Sequence, residues 1–257
     1  MDNRPIGIMD SGVGGLTVAR YLKKKYPDEG IVFIGDTAHN PYGDKTKEEI
    51  TTLASSLRDY LLKKQVKMII VGCNTISFNA APSFFDCEVP VERMSLNMPA
   101  LDGVKEVAVL ATPATIATHR HKHLIHEKYP WIQVHELGFP GLAHAIEMGE
   151  SRESMESIVR RGVQETGAEN TEYAFLACTH YPLEKELISR YLPHAAFWDP
   201  AEITVEEGMN LLKSGHQLAG TPQPDQFCFT ASGGTADTLV KSIFGSAAHA
   251  ETVDTGE

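Results

Sequence analysis

Short β-branched runs alternate with helical segments along this chain, a pattern that demands an α/β fold on largely parallel strands. Ile6-Gly7-Ile8-Met9 enters the cluster Asp10-Ser11-Gly12-Val13-Gly14-Gly15, and a helix is expected over residues 16–25. Ile31-Val32-Phe33-Ile34 comes next, followed by Gly35-Asp36-Thr37. Residues 47–64 carry apolar side chains at Ile50, Leu53, Ala54, Leu57, Leu61 and Leu62, a spacing that predicts a helix with one buried face. Met68-Ile69-Ile70-Val71 is apolar throughout, as in a strand covered on both faces.

The order then repeats. Val107-Ala108-Val109-Leu110 precedes Ala111-Thr112-Pro113-Ala114-Thr115, and Trp131-Ile132-Gln133-Val134 precedes the cluster His135-Glu136-Leu137-Gly138. A helix over residues 151–166 leads into the strand Tyr173-Ala174-Phe175-Leu176. Equivalent strands start 101, 100 and 105 residues apart. Offsets this constant predict two copies of one α/β unit, each of about 100 residues and so the size of a small domain.

Charge and cysteine content narrow the function. The 257 residues hold 23 Lys or Arg against 34 Asp or Glu, a net charge of −11. Such a chain has no electrostatic reason to seek nucleic acid or anionic lipid. No apolar run approaches the ~20 residues that span a bilayer, and residues 1–5 lack the apolar stretch of a signal peptide. Four scattered cysteines (Cys73, Cys87, Cys178 and Cys228) do not make a disulfide scaffold, so a cytoplasmic protein with reduced thiols is expected.

Two of those thiols occupy the same place in the repeat. The first copy ends Gly72-Cys73-Asn74-Thr75 and the second Ala177-Cys178-Thr179-His180, each at the C-terminal end of a buried strand. Ligands bind at that edge of open α/β sheets. Plain core cysteines are the alternative, and the shared position and polar neighbours weigh against it. Cys87 and Cys228 lack such neighbours and read as structural. There is no CxxC motif, and neither Cys73 nor Cys178 has a second Cys or a His at zinc spacing, so no metal is expected. His119, His121, His123 and His126 crowd one segment and read as a solvated helix face. Two bases on opposite sides of one substrate carbon explain the duplication: one thiolate removes the Cα proton, and the opposed thiol protonates the other face.

The cluster Asp10-Ser11-Gly12-Val13-Gly14-Gly15 is neither a P-loop nor a complete dinucleotide fingerprint, so no nucleotide is expected. Its backbone N–H groups are read instead as holding a small carboxylate at a helix N-terminus. This segment, with Pro41-Tyr42-Gly43, Cys73-Asn74-Thr75 and Cys178-Thr179-His180-Tyr181-Pro182, resembles the signature of glutamate racemases over residues 6–244.

The resemblance implies a cofactor-independent racemase with two pseudosymmetric, doubly wound α/β domains and an active site between them. The first domain would comprise residues 1–97 plus 208–257, the second 98–207. Cys73 and Cys178 would be the acid/base thiols, with Asp10, His180 and, less securely matched, Glu147 assisting. Ser11, Tyr42, Gly43, Asn74, Thr75, Thr115 and Thr179 would contact substrate together with Asp10 and His180. Glutamate would be the small-molecule partner, and the product D-glutamate would serve peptidoglycan synthesis; oligomeric state, a homodimer included, is left open. Two departures stand out: Glu92-Arg93-Met94-Ser95-Leu96-Asn97-Met98-Pro99-Ala100 at the expected domain crossing, and Thr230-Ala231-Ser232-Gly233-Gly234 near the end. A racemase of aspartate or an isomerase of a related acid stays open as an alternative, as does a non-catalytic small-acid binding protein.

Overall fold

A computed structural model describes residues 1–232 and 235–256. Gly233 and Gly234 of the second departure lie outside the described residues. The first half runs β1 (Ile6–Asp10), α1 (Leu16–Lys25), β2 (Ile31–Gly35), α2 (Lys47–Lys63), β3 (Met68–Val71), α3 (Asn74–Asn79) and β4 (Val91–Glu92). The second runs β5 (Glu106–Ala111), α4 (Pro113–Ile116), α5 (Arg120–Lys128), β6 (Gln133–Gly138), α6 (Leu142–Met148), α7 (Arg152–Thr166), β7 (Tyr173–Ala177), α8 (Lys185–Ser189) and β8 (Ala196–Trp198). α9 (Ala201–Ser214), β9 (Gln226–Phe229), α10 (Ala236–Phe244) and β10 (Ala250–Thr252) follow.

Two sheets result, ordered β10-β9-β2-β1-β3-β4 and β6-β5-β7-β8. Every strand pair is parallel. β1 lies between β2 and β3 as β5 lies between β6 and β7, so the sequence repeat is a structural one. The central strands β1, β2 and β3 are buried along their whole length, which accounts for their unbroken apolar runs.

Helix ends follow local chemistry. Thr46 and Glu49 form a reciprocal capping box at the start of α2, and the Ser151 hydroxyl caps α7. The expected strand over residues 131–134 is displaced. Trp131 is 62% exposed and stays outside, whereas the strand takes Gln133–Gly138, including the expected loop cluster 135–138. β6 is an edge strand with one buried face, so His135 and Leu137 alternate with half-exposed neighbours and the apolar-run signal is lost.

Each sheet carries its own core. α9 straddles residue 208, the expected boundary. Ala201 and Val205 pack with Met209 and Leu212 into the core of the first sheet, so the helix belongs there along its length. Lys67, at the lip of β3, is fully buried and paired at 2.7 Å with Glu29. No helix of the described residues is long and apolar enough to cross a membrane.

Candidate active site

The C-terminal edges of the two sheets face one another. Between them lies a narrow cleft lined by both Cys73 and Cys178. Ser11, Asn40, Tyr42, Gly43, Asn74, Thr75, Thr112, Thr179 and His180 complete most of its wall. The repeat puts one thiol at the end of β3 and the other at the end of β7.

Cys73 caps α3, its sulfur accepting from the Ile76 N–H at 3.5 Å, with the Ser11 hydroxyl also 3.5 Å away. Burial and the Asp10 charge push this thiol up to about 12, while the Ser11 and Ile76 contacts pull the other way. Asp10 itself is fully buried. It accepts from the Gly12 N–H at 2.7 Å and, across the cleft, from the Thr179 hydroxyl at 3.0 Å. Burial raises its carboxyl to about 6 against the opposing pull of the His180 charge.

Cys178 is arranged differently. Its sulfur is 3.9 Å from His180 Nδ1, and His180 Nε2 is 2.7 Å from Glu147 Oε2. Burial opposes the imidazolium, but bonds to Cys178 and Glu147 outweigh it and hold His180 well above the usual histidine range. Glu147 is buried at the end of α6, not solvated. Its Oε2 also accepts from the Val13 N–H at 3.0 Å, so this N–H of the glycine-rich turn holds a carboxylate of the protein itself. Gly14 must be glycine: a Cβ there would come within 2.6 Å of Thr179 Oγ1.

Several expected substrate contacts take particular roles. Both polar atoms of the Asn74 side chain are buried without a partner and Asn74 lines the cleft, an arrangement that fits a ligand bearing both donors and acceptors. Thr75 Oγ1 bridges the halves, 3.0 Å from Thr112 Oγ1. Thr112 stands in the wall, whereas the expected Thr115 is buried behind it, its hydroxyl 3.2 Å from Thr112 Oγ1. The internal repeat held the signal for Thr112, which sits 101 residues after Ser11. Tyr42 donates its hydroxyl to Asp36 at 2.6 Å, and Thr230 donates to the same carboxylate at 2.6 Å. Asp36, Asn40 and Thr112 were not anticipated; Asp36 and Asn40 gave no spacing signal.

Elsewhere, the clustered histidines diverge. His119 meets Glu136 at 2.8 Å and His126 meets the Ile132 carbonyl at 3.0 Å. His121 is buried edge-on against Phe78, which corrects the reading of a wholly solvated face. Cys87 donates to the Val89 carbonyl, and Cys228 accepts from the Tyr60 hydroxyl in the first core. Among the described residues no three His, Cys, Asp or Glu side chains converge as metal ligands.

No family model matches the chain. It is 36% identical over 245 residues to the glutamate racemase of Lactobacillus helveticus (strain DPC 4571), a match covering 88% of this chain and 91% of that one. The solved glutamate racemase of Francisella tularensis subsp. tularensis SCHU S4, in complex with D-glutamate, superposes with a TM-score of 0.86 at 31% identity, over 100% of this chain and 99% of that one. A glutamate racemase isoform from Bacillus anthracis superposes with a TM-score of 0.85 at 27% identity, covering 99% and 98%.

Proposed function

Because the chain belongs to the glutamate racemase family of amino-acid racemases, we propose that it interconverts L- and D-glutamate by moving a proton at Cα between Cys73 and Cys178, without a cofactor. The observation that carries this reading is the pair of thiols at equivalent strand ends on one cleft. The D-glutamate in the Francisella structure supports the substrate. A cytoplasmic role in supplying D-glutamate for peptidoglycan is part of the same proposal.

The two thiols sit in different surroundings. Cys178, with His180 Nδ1 3.9 Å from its sulfur, takes the Cα proton of L-glutamate. Cys73, kept as a thiol by burial, gives its proton to the opposite face, and D-glutamate results. In the reverse direction Cys73 must act as the thiolate, which the Ser11 hydroxyl and the Ile76 N–H support. Asp10 cannot favour that thiolate by charge, since like charges oppose it. Its part is to accept a proton and to hold Thr179 across the cleft.

Proton NMR of each enantiomer in D2O tests the scheme. The wild type should wash out the Cα–H signal and yield both enantiomers. It should also withstand EDTA and show no pyridoxal absorbance. Cys73→Ser and Cys178→Ser should each cut racemisation by ~10² or more, the range expected for loss of a general acid–base group. A Cys178→Ala enzyme that racemises near the wild-type rate would refute the two-thiol scheme. Activity lost on dialysis and restored by a cofactor would refute cofactor independence.

A further inference from the structure

Asn40 lies in the cleft wall, in the turn between β2 and α2. Its Nδ2 donates to the Ser11 carbonyl at 3.0 Å. A carbonyl can only accept, so this bond fixes which end of the amide is nitrogen. Oδ1 therefore points away from Ser11, where it is buried and meets no donor. The hydroxyls around the cleft are already engaged. Ser11 is beside Cys73, Thr75 and Thr112 are beside each other, and Thr179 donates to Asp10. An unpaired buried acceptor is costly, and a donor group on a molecule entering the cleft can satisfy it. In a zwitterionic amino acid the ammonium is the group that donates.

We propose that Asn40 is a substrate-contacting residue whose Oδ1 accepts a hydrogen bond from the substrate ammonium. This rests on the reading of the ligand as an amino acid and goes beyond it by assigning recognition of the amino group. Asn74 Oδ1 is a second unpaired acceptor in the same wall, so the ammonium has two amide oxygens to meet. A site built to hydrogen-bond a substrate group discriminates strongly against an analogue lacking that group. Asn40 is thus a reason for the site to prefer glutamate over glutarate, which has both carboxylates and no nitrogen.

Two variants separate ammonium recognition from mere support of the Ser11 turn. Asn40→Leu removes both amide functions. Asn40→Asp keeps an oxygen toward the cleft but cannot donate to Ser11. The assignment expects Asn40→Leu to lower kcat/KM for D-glutamate at least tenfold while the inhibition constant of glutarate changes less than threefold. It expects Asn40→Asp to keep kcat/KM within about threefold of wild type. Parallel loss for glutamate and glutarate in Asn40→Leu would overturn it, as would unchanged kcat/KM there. If Asn40→Leu does not fold, or glutarate does not inhibit, Asn40→Asp decides: a tenfold loss of kcat/KM means that the residue serves the turn alone. Failure of the racemase reading is seen separately, as a wild type that does not racemise glutamate.

Discussion

At Asp10, function and stability pull against each other. Burial lifts its carboxyl from 3.8 to about 6, so the folded protein holds that proton more tightly than the unfolded chain does. Its contribution to stability is fully present below about pH 4 and is lost as pH rises through about 6. At 1.36 kcal/mol per pH unit, ionised Asp10 costs the folded state roughly 3 kcal/mol at neutral pH. Asp10→Asn should therefore raise the urea midpoint at pH 7.5 and give no gain at pH 4. The bonds from Gly12 and Thr179 set how much of the difference is realised. The same variant should lose racemisation by ~10² or more, a trade of activity for stability common at active sites. Urea titrations at the two pH values check the first part; a destabilised variant at pH 7.5 would contradict it.

Elements of this chain were legible wherever one periodicity ruled a segment. The helix expected over residues 16–25 is α1, and that over 47–64 is α2 less one residue, because a single apolar stripe and clear ends define each. The histidine-bearing helix is α5, but its face is not wholly solvated. Its His121 turns inward onto Phe78 of α3, with ring centroids 5.4 Å apart, and so joins the two halves. No sequence pattern marks a histidine as buried against a helix that precedes it by some forty residues. Burial, then the neighbouring Arg120 charge, lowers this imidazole from 6.5 to about 4. A depressed histidine contributes stability above about pH 6.5 that is lost as pH falls toward 4. Acidification over that window should lower the melting temperature, and His121→Leu should flatten the dependence. A variant with the same pH slope as wild type would assign the acid sensitivity elsewhere.

Across the whole molecule, the two halves are tied through the cleft itself. Thr179 donates to Asp10, the Val13 N–H donates to Glu147, and the Thr75 and Thr112 hydroxyls meet at 3.0 Å. The cleft is consequently small and lined by polar groups that need partners. An amino acid whose side-chain carboxylate falls short leaves some of them unpaired. One methylene is worth only ~1–3 kcal/mol in an apolar pocket, and a misplaced carboxylate adds to that. Glutamate should be favoured over aspartate by at least about tenfold in kcat/KM, and over alanine by far more. Steady-state comparison of the three substrates tests this. A preference for aspartate would end the glutamate assignment and leave the two-thiol chemistry in place.

Sequence alone determined the α/β class, the doubled unit and the equivalent positions of Cys73 and Cys178, because strand burial and helix amphipathicity are written in local spacing. Equivalence of position also puts each thiol at the C-terminal edge of its own sheet, since parallel strands all end on the same side of a sheet. Only the tertiary structure decided what those residues meet. Asp10 reaches across to Thr179, Glu147 threads between Val13 and His180, and Asn40, in the cleft wall, keeps a buried oxygen unpaired. Each of these contacts joins residues far apart in the chain or depends on which way one side chain turns. Spacing along a sequence encodes the face a side chain occupies, whereas the closure of one half on the other selects its partner.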